Sequence, residues 1–330
     1  MTVPKTAKLN PAWRKKEGLK QIPTRNGFGD GLVEAGKADK NIYVLCADLT
    51  ESTRTLAFKE AFPERFVQMG VSEQALAAIG AGMALEGKTV FIASYACFSP
   101  GRNWEQIRTC GCLQNVNLKI VGAHAGVSVG PDGATHQMTE DIALMRVLPE
   151  MKVLVPCDSI EAKKATIAAA KMKGPVYVRF ARAAGPVYTT EKTPFEVGKA
   201  QVFRNGNDVA IIGCGPLVYE ALLAAEELSK LGIEARVINN ASIKPMDEKT
   251  IVAAARECGC IVTIEEAQSA GGMGGAVCEL LAEARPVPVE RIGMQDRFGE
   301  SGEPRELLEA FGLTAPAIVK AVKKVMKRKT

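Results

Sequence analysis

Apolar, β-branched runs alternate with helix-period segments along almost the whole chain. A short apolar run bounded by turn residues reads as a buried strand, and apolar recurrence every three to four residues reads as a helix packed on it. In the first part, strands are predicted at Ile42 to Ala47, Thr89 to Ala93, Leu118 to Val121, Lys152 to Val155 and Val176 to Phe180. Between them lie predicted helices at Gly27 to Lys37, Ser72 to Leu85, Trp104 to Gln114, Thr139 to Val147 and Ile160 to Met172. The pattern pauses over Ala183 to Lys199, where Gly185, Pro186, Pro194 and Gly198 give the composition of a linker. A second unit follows, with strands near Asp208 to Ile212, Glu234 to Ile238, Ile261 to Ile264 and Val287 to Arg291. Its helices are expected near Val218 to Leu231, Asp247 to Glu257, Met273 to Ala284 and Ala315 to Lys327. Such alternation predicts an α/β fold with two parallel-sheet domains, the second the smaller.

Composition narrows the function classes. The formal net charge of +5 is modest for 330 residues. Much of the excess sits in Lys5 to Lys20 and Lys320 to Lys329, which read as solvated faces or tails rather than a nucleic-acid stripe. No apolar run is long enough to span a bilayer, and the first residues lack the apolar core of a signal peptide. The nine cysteines include two Cys-x-Cys pairs, Cys110 with Cys112 and Cys258 with Cys260, but no CxxC. They are expected to be small buried hydrophobes in a reducing compartment, which points to the cytoplasm.

Both histidines of the chain fall in one glycine-rich stretch, His124-Ala-Gly-Val-Ser-Val-Gly130-Pro-Asp132-Gly-Ala-Thr-His136-Gln. It follows the strand predicted at Leu118 to Val121, where α/β folds place their chemistry. One histidine alone would read as a satisfied core or surface imidazole. Two on one loop, with Asp132 between them, point to a site. Gly126-Val-Ser128-Val-Gly130 matches a nucleophile elbow, but Ser128 runs on into another turn instead of a helix, so the match is a decoy.

Other segments carry weaker signals. Ile212-Gly213-Cys-Gly215 opens like a dinucleotide fingerprint, yet Val218 holds the third glycine position and Asn239-Asn240 replaces the ribose-binding acid. A tight strand-to-helix turn is the better reading. Gly271-Gly-Met-Gly274-Gly275 precedes a helix and suits either a phosphate at its N-terminus or a close-packed turn. Glu73 follows Ser72 at the start of a small-residue helix, where the helix dipole alone would favour a carboxylate. Tyr95 and Phe98, in Ser94-Tyr-Ala-Cys-Phe-Ser-Pro-Gly-Arg102, place two aromatics at a strand end, fit for binding a flat ring.

Together these segments resemble the C-terminal half of the transketolase family. The matching residues are Ala47-Asp48-Leu49-Thr50-x-Ser52, Gly70-Val-Ser-Glu73-Gln74, Tyr95-x-x-Phe98, Gly101-Arg102, the His124 to Gln137 loop and Pro175-Val-Tyr-Val-Arg-Phe-Ala-Arg182. The resemblance runs from about Thr24 to the C-terminus, and Asp-Gly-x-Thr-His-Gln is its most specific core. It implies a thiamine diphosphate enzyme that moves a two-carbon ketol unit from a ketose phosphate to an aldose phosphate. Glu73 matches the glutamate that hydrogen-bonds the aminopyrimidine and promotes its imino tautomer, and Tyr95 and Phe98 match the wall on which that ring stacks. By the same matching, His124 and Asp132 contact sugar hydroxyls. His136 lies near the donor hydroxyl and carbonyl and serves in proton transfer. Arg25, Ser52 and Arg182 bind the substrate phosphate, with Arg179 as the alternative to Arg182. Arg102 is structural or site-adjacent.

The resemblance also divides the chain into an N-terminal arm (1–23), a pyrimidine-binding domain (24–185), a linker (186–199) and a transketolase C-terminal domain (200–330). Full-length members hold the diphosphate and a divalent ion through a Gly-Asp-Gly motif in a preceding domain. Here Gly29-Asp30-Gly31 is the only such triplet and lies on a predicted helix, a chance match. The expectation is one subunit of a split transketolase, with thiamine diphosphate shared and Mg2+ held by an N-terminal-section subunit in an α2β2-like assembly. The C-terminal domain is expected to support assembly and to hold no essential catalytic residue. Pentose phosphate metabolism is the implied setting. Alternatives are a deoxyxylulose-phosphate synthase-like enzyme, a 2-oxo-acid dehydrogenase beta-like subunit, or a non-catalytic assembly partner.

Overall fold

The computed structural model describes residues 3–329; Met1 and Thr2 of the expected arm and Thr330 of the last domain lie outside them. The strands in chain order are β1 (Gln21–Pro23), β2 (Ile42–Cys46), β3 (Phe66–Gln68), β4 (Thr89–Tyr95), β5 (Leu118–Ala123), β6 (Lys152–Leu154) and β7 (Val176–Arg179). They continue as β8 (Ala184–Pro186), β9 (Gln201–Arg204), β10 (Val209–Gly213), β11 (Ala235–Asn239), β12 (Ser242–Lys244), β13 (Ile261–Gln268) and β14 (Val289–Met294). The first sheet has seven strands in the order β12-β6-β7-β5-β4-β2-β3, and the second has five in the order β14-β13-β10-β11-β9. Within the first, β6 to β3 are all parallel. β12 comes from beyond the linker and joins the β6 edge antiparallel. The second sheet is parallel except for β9, antiparallel on β11.

Every residue of β5 and of β10 is buried, as parallel strands covered on both faces require. Helices Thr24–Ala38 and Ser159–Lys171 cover one face of the first sheet by touching backbone to backbone. A Cβ at Gly27 would lie 1.8 Å from the Ser159 carbonyl oxygen, and one at Gly31 would lie 2.7 Å from that of Lys163. The Gly-Asp-Gly triplet therefore serves helix packing. Asp158 starts the second helix by accepting a hydrogen bond from the Glu161 N–H at 3.0 Å.

The N-terminal arm is not a solvated tail. Ala7, Trp13 and Leu19 are buried in the core of the second domain, and the Tyr219 hydroxyl donates to the Trp13 carbonyl at 2.9 Å. Apolar residues spaced among the lysines give the arm a face to bury, and β1 then pairs antiparallel with β8. The C-terminal basic segment is a solvated helix face as expected: Ala315, Ile318, Val322 and Val325 of helix Ala315–Met326 turn inward, leaving Lys320, Lys323 and Lys324 outside.

Candidate functional site

β5, β4 and β2 are successive parallel strands of the first sheet, and the loops after their C-terminal ends converge. β4 ends on Tyr95. β5 runs straight into His124, whose φ of +56° is rare for a side-chain-bearing residue. The left-handed turn at His124, with Gly126 at +87° and Gly130 at +89°, folds the histidine loop back over the strand ends. Ser52 arrives on the loop after β2, and Glu73 begins the helix Glu73–Leu85.

These elements bring the predicted residues into one line. At one end the buried Glu73 carboxylate accepts from the Ser94 hydroxyl at 3.2 Å through Oε1, and Oε2 has no partner among the described residues. Asn103 fixes the same helix start by donating to the Glu73 carbonyl at 2.9 Å. Next come Phe98 and Tyr95, with near-parallel rings 6.1 Å apart. His136 stands edge-on to both, at 5.5 Å from Phe98 and 6.2 Å from Tyr95. The Thr135 hydroxyl lies 2.9 Å from His136 Nδ1. Beyond them His124 stacks on Tyr95 at 3.8 Å, and Arg25 Nη1 approaches both His124 Nε2 (3.2 Å) and the Ser52 carbonyl (2.8 Å).

The line has an electrostatic gradient. Burial, with Arg25 and Arg182 nearby, pushes His124 down to about 3, so its imidazole is neutral. A guanidinium only donates, so His124 Nε2 accepts from Arg25 and the ring proton sits on Nδ1. That Nδ1 is buried without a partner among the described residues, as is Arg25 Nε. Burial and the charges of Arg54 and Arg182 lower the Arg25 guanidinium as well. An end where several cations are crowded and partly unpaired is suited to an anion.

Some predicted residues stand elsewhere. His124 belongs with Arg25 and Ser52, not with Asp132, which sits exposed on its turn without a hydrogen bond to either histidine. Tyr95 is engaged on one face by His124 and through its hydroxyl by Ser52 at 2.7 Å, which leaves Phe98 as the more available ring. Arg179, expected as a phosphate ligand or a surface charge, is neither. It is buried, with Nε donating to Asp141 at 2.7 Å and Nη2 to the Glu266 carbonyl at 2.7 Å. Arg182 is half-buried and donates to the Val129 carbonyl at 2.8 Å, on the loop itself. Arg102 is exposed. The sequence reading missed Ser94 and Asn103, the two residues that hold Glu73, although both lie beside residues it singled out.

The other two glycine-rich turns are engaged within the protein. Gly213 and Gly215 make a tight turn against the first domain, Gly215 N–H donating to the Val155 carbonyl at 3.1 Å. The Gly271–Gly275 turn does present a helix N-terminus, but the Glu265 carboxylate fills it, accepting from Met273 N–H at 2.6 Å and Gly274 N–H at 2.8 Å. Among the described residues no group of three or more His, Cys, Asp or Glu side chains is arranged to hold a metal ion. A half-buried Phe98 ring just past β4, the strand whose Ser94 hydroxyl bonds the buried Glu73 carboxylate, fits the pyrimidine end of thiamine diphosphate. Among the described residues no His, Cys, Asp and Glu cluster offers a corresponding hold for its metal.

Comparison with known proteins bears directly on this arrangement. Residues 20–187 match the family model of the transketolase pyrimidine-binding domain, and residues 198–318 match that of the transketolase C-terminal domain. A Methanocaldococcus jannaschii protein named for the C-terminal section of transketolase is 43% identical over 92% of this chain and 96% of its own length. A 6-deoxy-6-sulfo-D-fructose transketolase subunit from Clostridium sp. is 38% identical over 92% of this chain and 95% of its own. An apulose-4-phosphate transketolase subunit from Phocaeicola vulgatus is likewise 38% identical, over 93% and 98%. Among solved structures, a split gene transketolase described as an inactive beta4 tetramer superposes with a TM-score of 0.88 at 44% identity, covering 94% of this chain and all of that one. The chain thus belongs to the transketolase family, as a C-terminal section joining the pyrimidine-binding domain to the transketolase C-terminal domain.

Proposed function

We propose that this chain is the C-terminal subunit of a split transketolase, transferring a two-carbon ketol unit from a ketose phosphate to an aldose phosphate once an N-terminal-section subunit is bound. The observation that carries the reading is the single line from the Glu73 carboxylate, past Phe98 and the imidazoles, to the Arg25 guanidinium. Thiamine diphosphate, when bound, supplies the carbanion chemistry that breaks and makes the carbon–carbon bond. Phe98, with Tyr95 behind it, would carry the pyrimidine, and Glu73 Oε2 would hold the proton at a ring nitrogen, shielded from water by its burial. His136, steadied by Thr135, would move a proton at the donor hydroxyl or carbonyl. Arg25, Ser52 and Arg182 would bind the phosphate with His124 as a neutral neighbour, and Asp132 would reach a sugar hydroxyl from its exposed turn.

A partner is supported by what the site side leaves uncovered. Val71, Ile79 and Leu85 are exposed on and beside the Glu73 helix, apolar surface suited to a second chain. An α2β2 assembly would place such a chain there, with Mg2+ and the diphosphate held by the N-terminal-section subunit. Nine free cysteines suit a reducing cytoplasm, and no helix among the described residues is long and apolar enough to cross a membrane. Donors to test include xylulose and fructose phosphates, the substrates in the names of the relatives, and pyruvate.

The decisive assay is ketol transfer by this chain alone and after mixing with an N-terminal-section subunit, thiamine diphosphate and magnesium. Activity is expected only in the mixture, and Glu73→Gln should lower it by a factor on the order of 10² to 10⁴. Transfer without the partner, turnover of pyruvate only, or full activity of Glu73→Gln would overturn the reading.

A further inference from the structure

The second domain grips the histidine loop from below at several points. On β13, the Glu266 carboxylate accepts from the Ser128 N–H at 2.5 Å, and the carbonyl of Glu266 accepts from Arg179 at 2.7 Å. Two residues along, the Gln268 N–H donates to the Thr139 carbonyl at 2.7 Å. Gln137, inside the loop, donates to Val127, Gly130 and Glu300 carbonyls at 2.9 to 3.2 Å, and Glu300 belongs to the second domain. The loop fits these partners closely. A Cβ at Gly126 would come within 2.4 Å of Glu266 Oε1, and one at Gly299 within 1.7 Å of Gln137 Oε1.

Among these grips Glu266 stands out chemically. It is 3% exposed, and its partner is the backbone of the left-handed bend between His124 and His136. Its neighbours include Arg179, whose guanidinium bonds Asp141 and the Glu266 carbonyl and acts on the carboxylate through its charge. A buried carboxylate whose named acceptor role is to a loop amide acts on the shape of that loop. We propose that Glu266 is the positioning residue of the histidine loop, so that the second domain helps set the sugar-binding geometry of the first. The inference rests on the ketol-transfer reading, and it departs from the expectation that this domain serves assembly alone. Glu266 touches no substrate in this account; it acts through Ser128 and Gly126.

The test uses the reconstituted pair and a readout that needs no turnover. In Glu266→Gln, amide hydrogen exchange over residues 124–138 should rise about tenfold, with residues 73–85 unchanged, as expected when the buried acceptor of a loop amide is weakened. KM for the sugar phosphate should rise about tenfold with kcat within about a factor of two, the signature of lost binding geometry rather than lost chemistry. Glu266→Asp, which keeps the carboxyl group on a shorter arm, should reverse part of the rise in KM. Should Glu266→Gln not fold, Gly126→Ala, which presses on the same carboxylate, should give the same exchange pattern and KM rise. Unchanged exchange over 124–138, or an equal rise across both segments with a matching fall in thermal stability, would overturn the proposal. A loop-confined exchange change in Glu266→Gln, with no ketol transfer by the wild-type pair, would instead sink the functional reading and leave the positioning role standing.

Discussion

Two glycine-rich segments meet the same strand from opposite sides. β13 carries Glu265 and Glu266 in succession, and neighbouring residues of a strand face opposite ways. Glu265 closes the Gly271–Gly275 turn, accepting from two amides at the start of helix Met273–Ala284. Glu266 supports the histidine loop through one amide. From sequence the histidine loop pointed to a site, and the 271–275 turn suited either a bound phosphate or a close-packed turn. The difference lies in what remains after the carboxylate has bonded. At the turn 271–275 the first two amides of the helix, Met273 and Gly274, are already taken from within by Glu265. The histidine loop is held from behind while His136 and Asp132 still face outward. Glycine content marks backbone that approaches something closely; only the fate of its amides tells whether that something is a ligand.

The largest effect that would break this comparison is on stability. Glu265→Ala leaves two buried amides without an acceptor and should cost about 3 kcal/mol in urea unfolding. A cost close to zero would mean the turn is not closed by Glu265.

A sharper test is the sign of the pH response on the two sides. Burial pushes Glu265 up to about 7 against its usual 4.5. Its folded form therefore keeps a proton that the unfolded chain loses. Its stabilisation is full below about pH 4.5 and declines as pH rises through 7. His124 is the reverse: lowered to about 3 from 6.5, it refuses a proton that the unfolded chain accepts. Stability tied to it is present above pH 6.5 and is lost as pH falls toward 3. Unfolding free energies should thus show Glu265→Gln removing a decline between about pH 4.5 and 7, and His124→Asn flattening the acid limb below 6.5. Parallel pH profiles for wild type and both variants would contradict these environments.

The smallest effect separates adjacent glycines of the closed turn. A Cβ at Gly274 would lie 2.5 Å from Thr263 Oγ1, whereas one at Gly275 meets nothing nearer than 3.6 Å. Gly275→Ala should raise stability by about 0.5 to 1 kcal/mol through helix propensity, while Gly274→Ala should lower it. Thermal unfolding of the two variants would resolve the opposite signs.

Local pattern made much of this molecule legible. Long apolar strands such as β5 and β10, and helices such as Met273–Ala284 and Val218–Lys230, follow from periodicity alone. Glu73, Tyr95 and Phe98 drew notice because they lie at or just past the ends of such elements, and His136 because it shares its loop with His124. What escaped depends on distant partners. β3 and β12 are three residues long, too short to show a period. The burial of Arg179 needs Asp141 and the Glu266 carbonyl, neither adjacent in sequence. The position of His124 beside Arg25 and Ser52 depends on a left-handed residue that no glycine announces.

The three residues of β12 have a mechanical meaning. Chain that has already passed the linker returns to bond with the edge of the first sheet, while its neighbour β11 stays in the second. The two sheets are stitched rather than merely stacked. A force drawing the second domain away would have to unzip a strand before any surface could slide, and that same seam caps an edge otherwise open to stray pairing. Lys244 tightens the stitch, its ammonium donating to the Arg146 and Leu148 carbonyls at 3.0 and 2.6 Å. The platform beneath the histidine loop is thereby sewn to the sheet above it, and the two travel as one body.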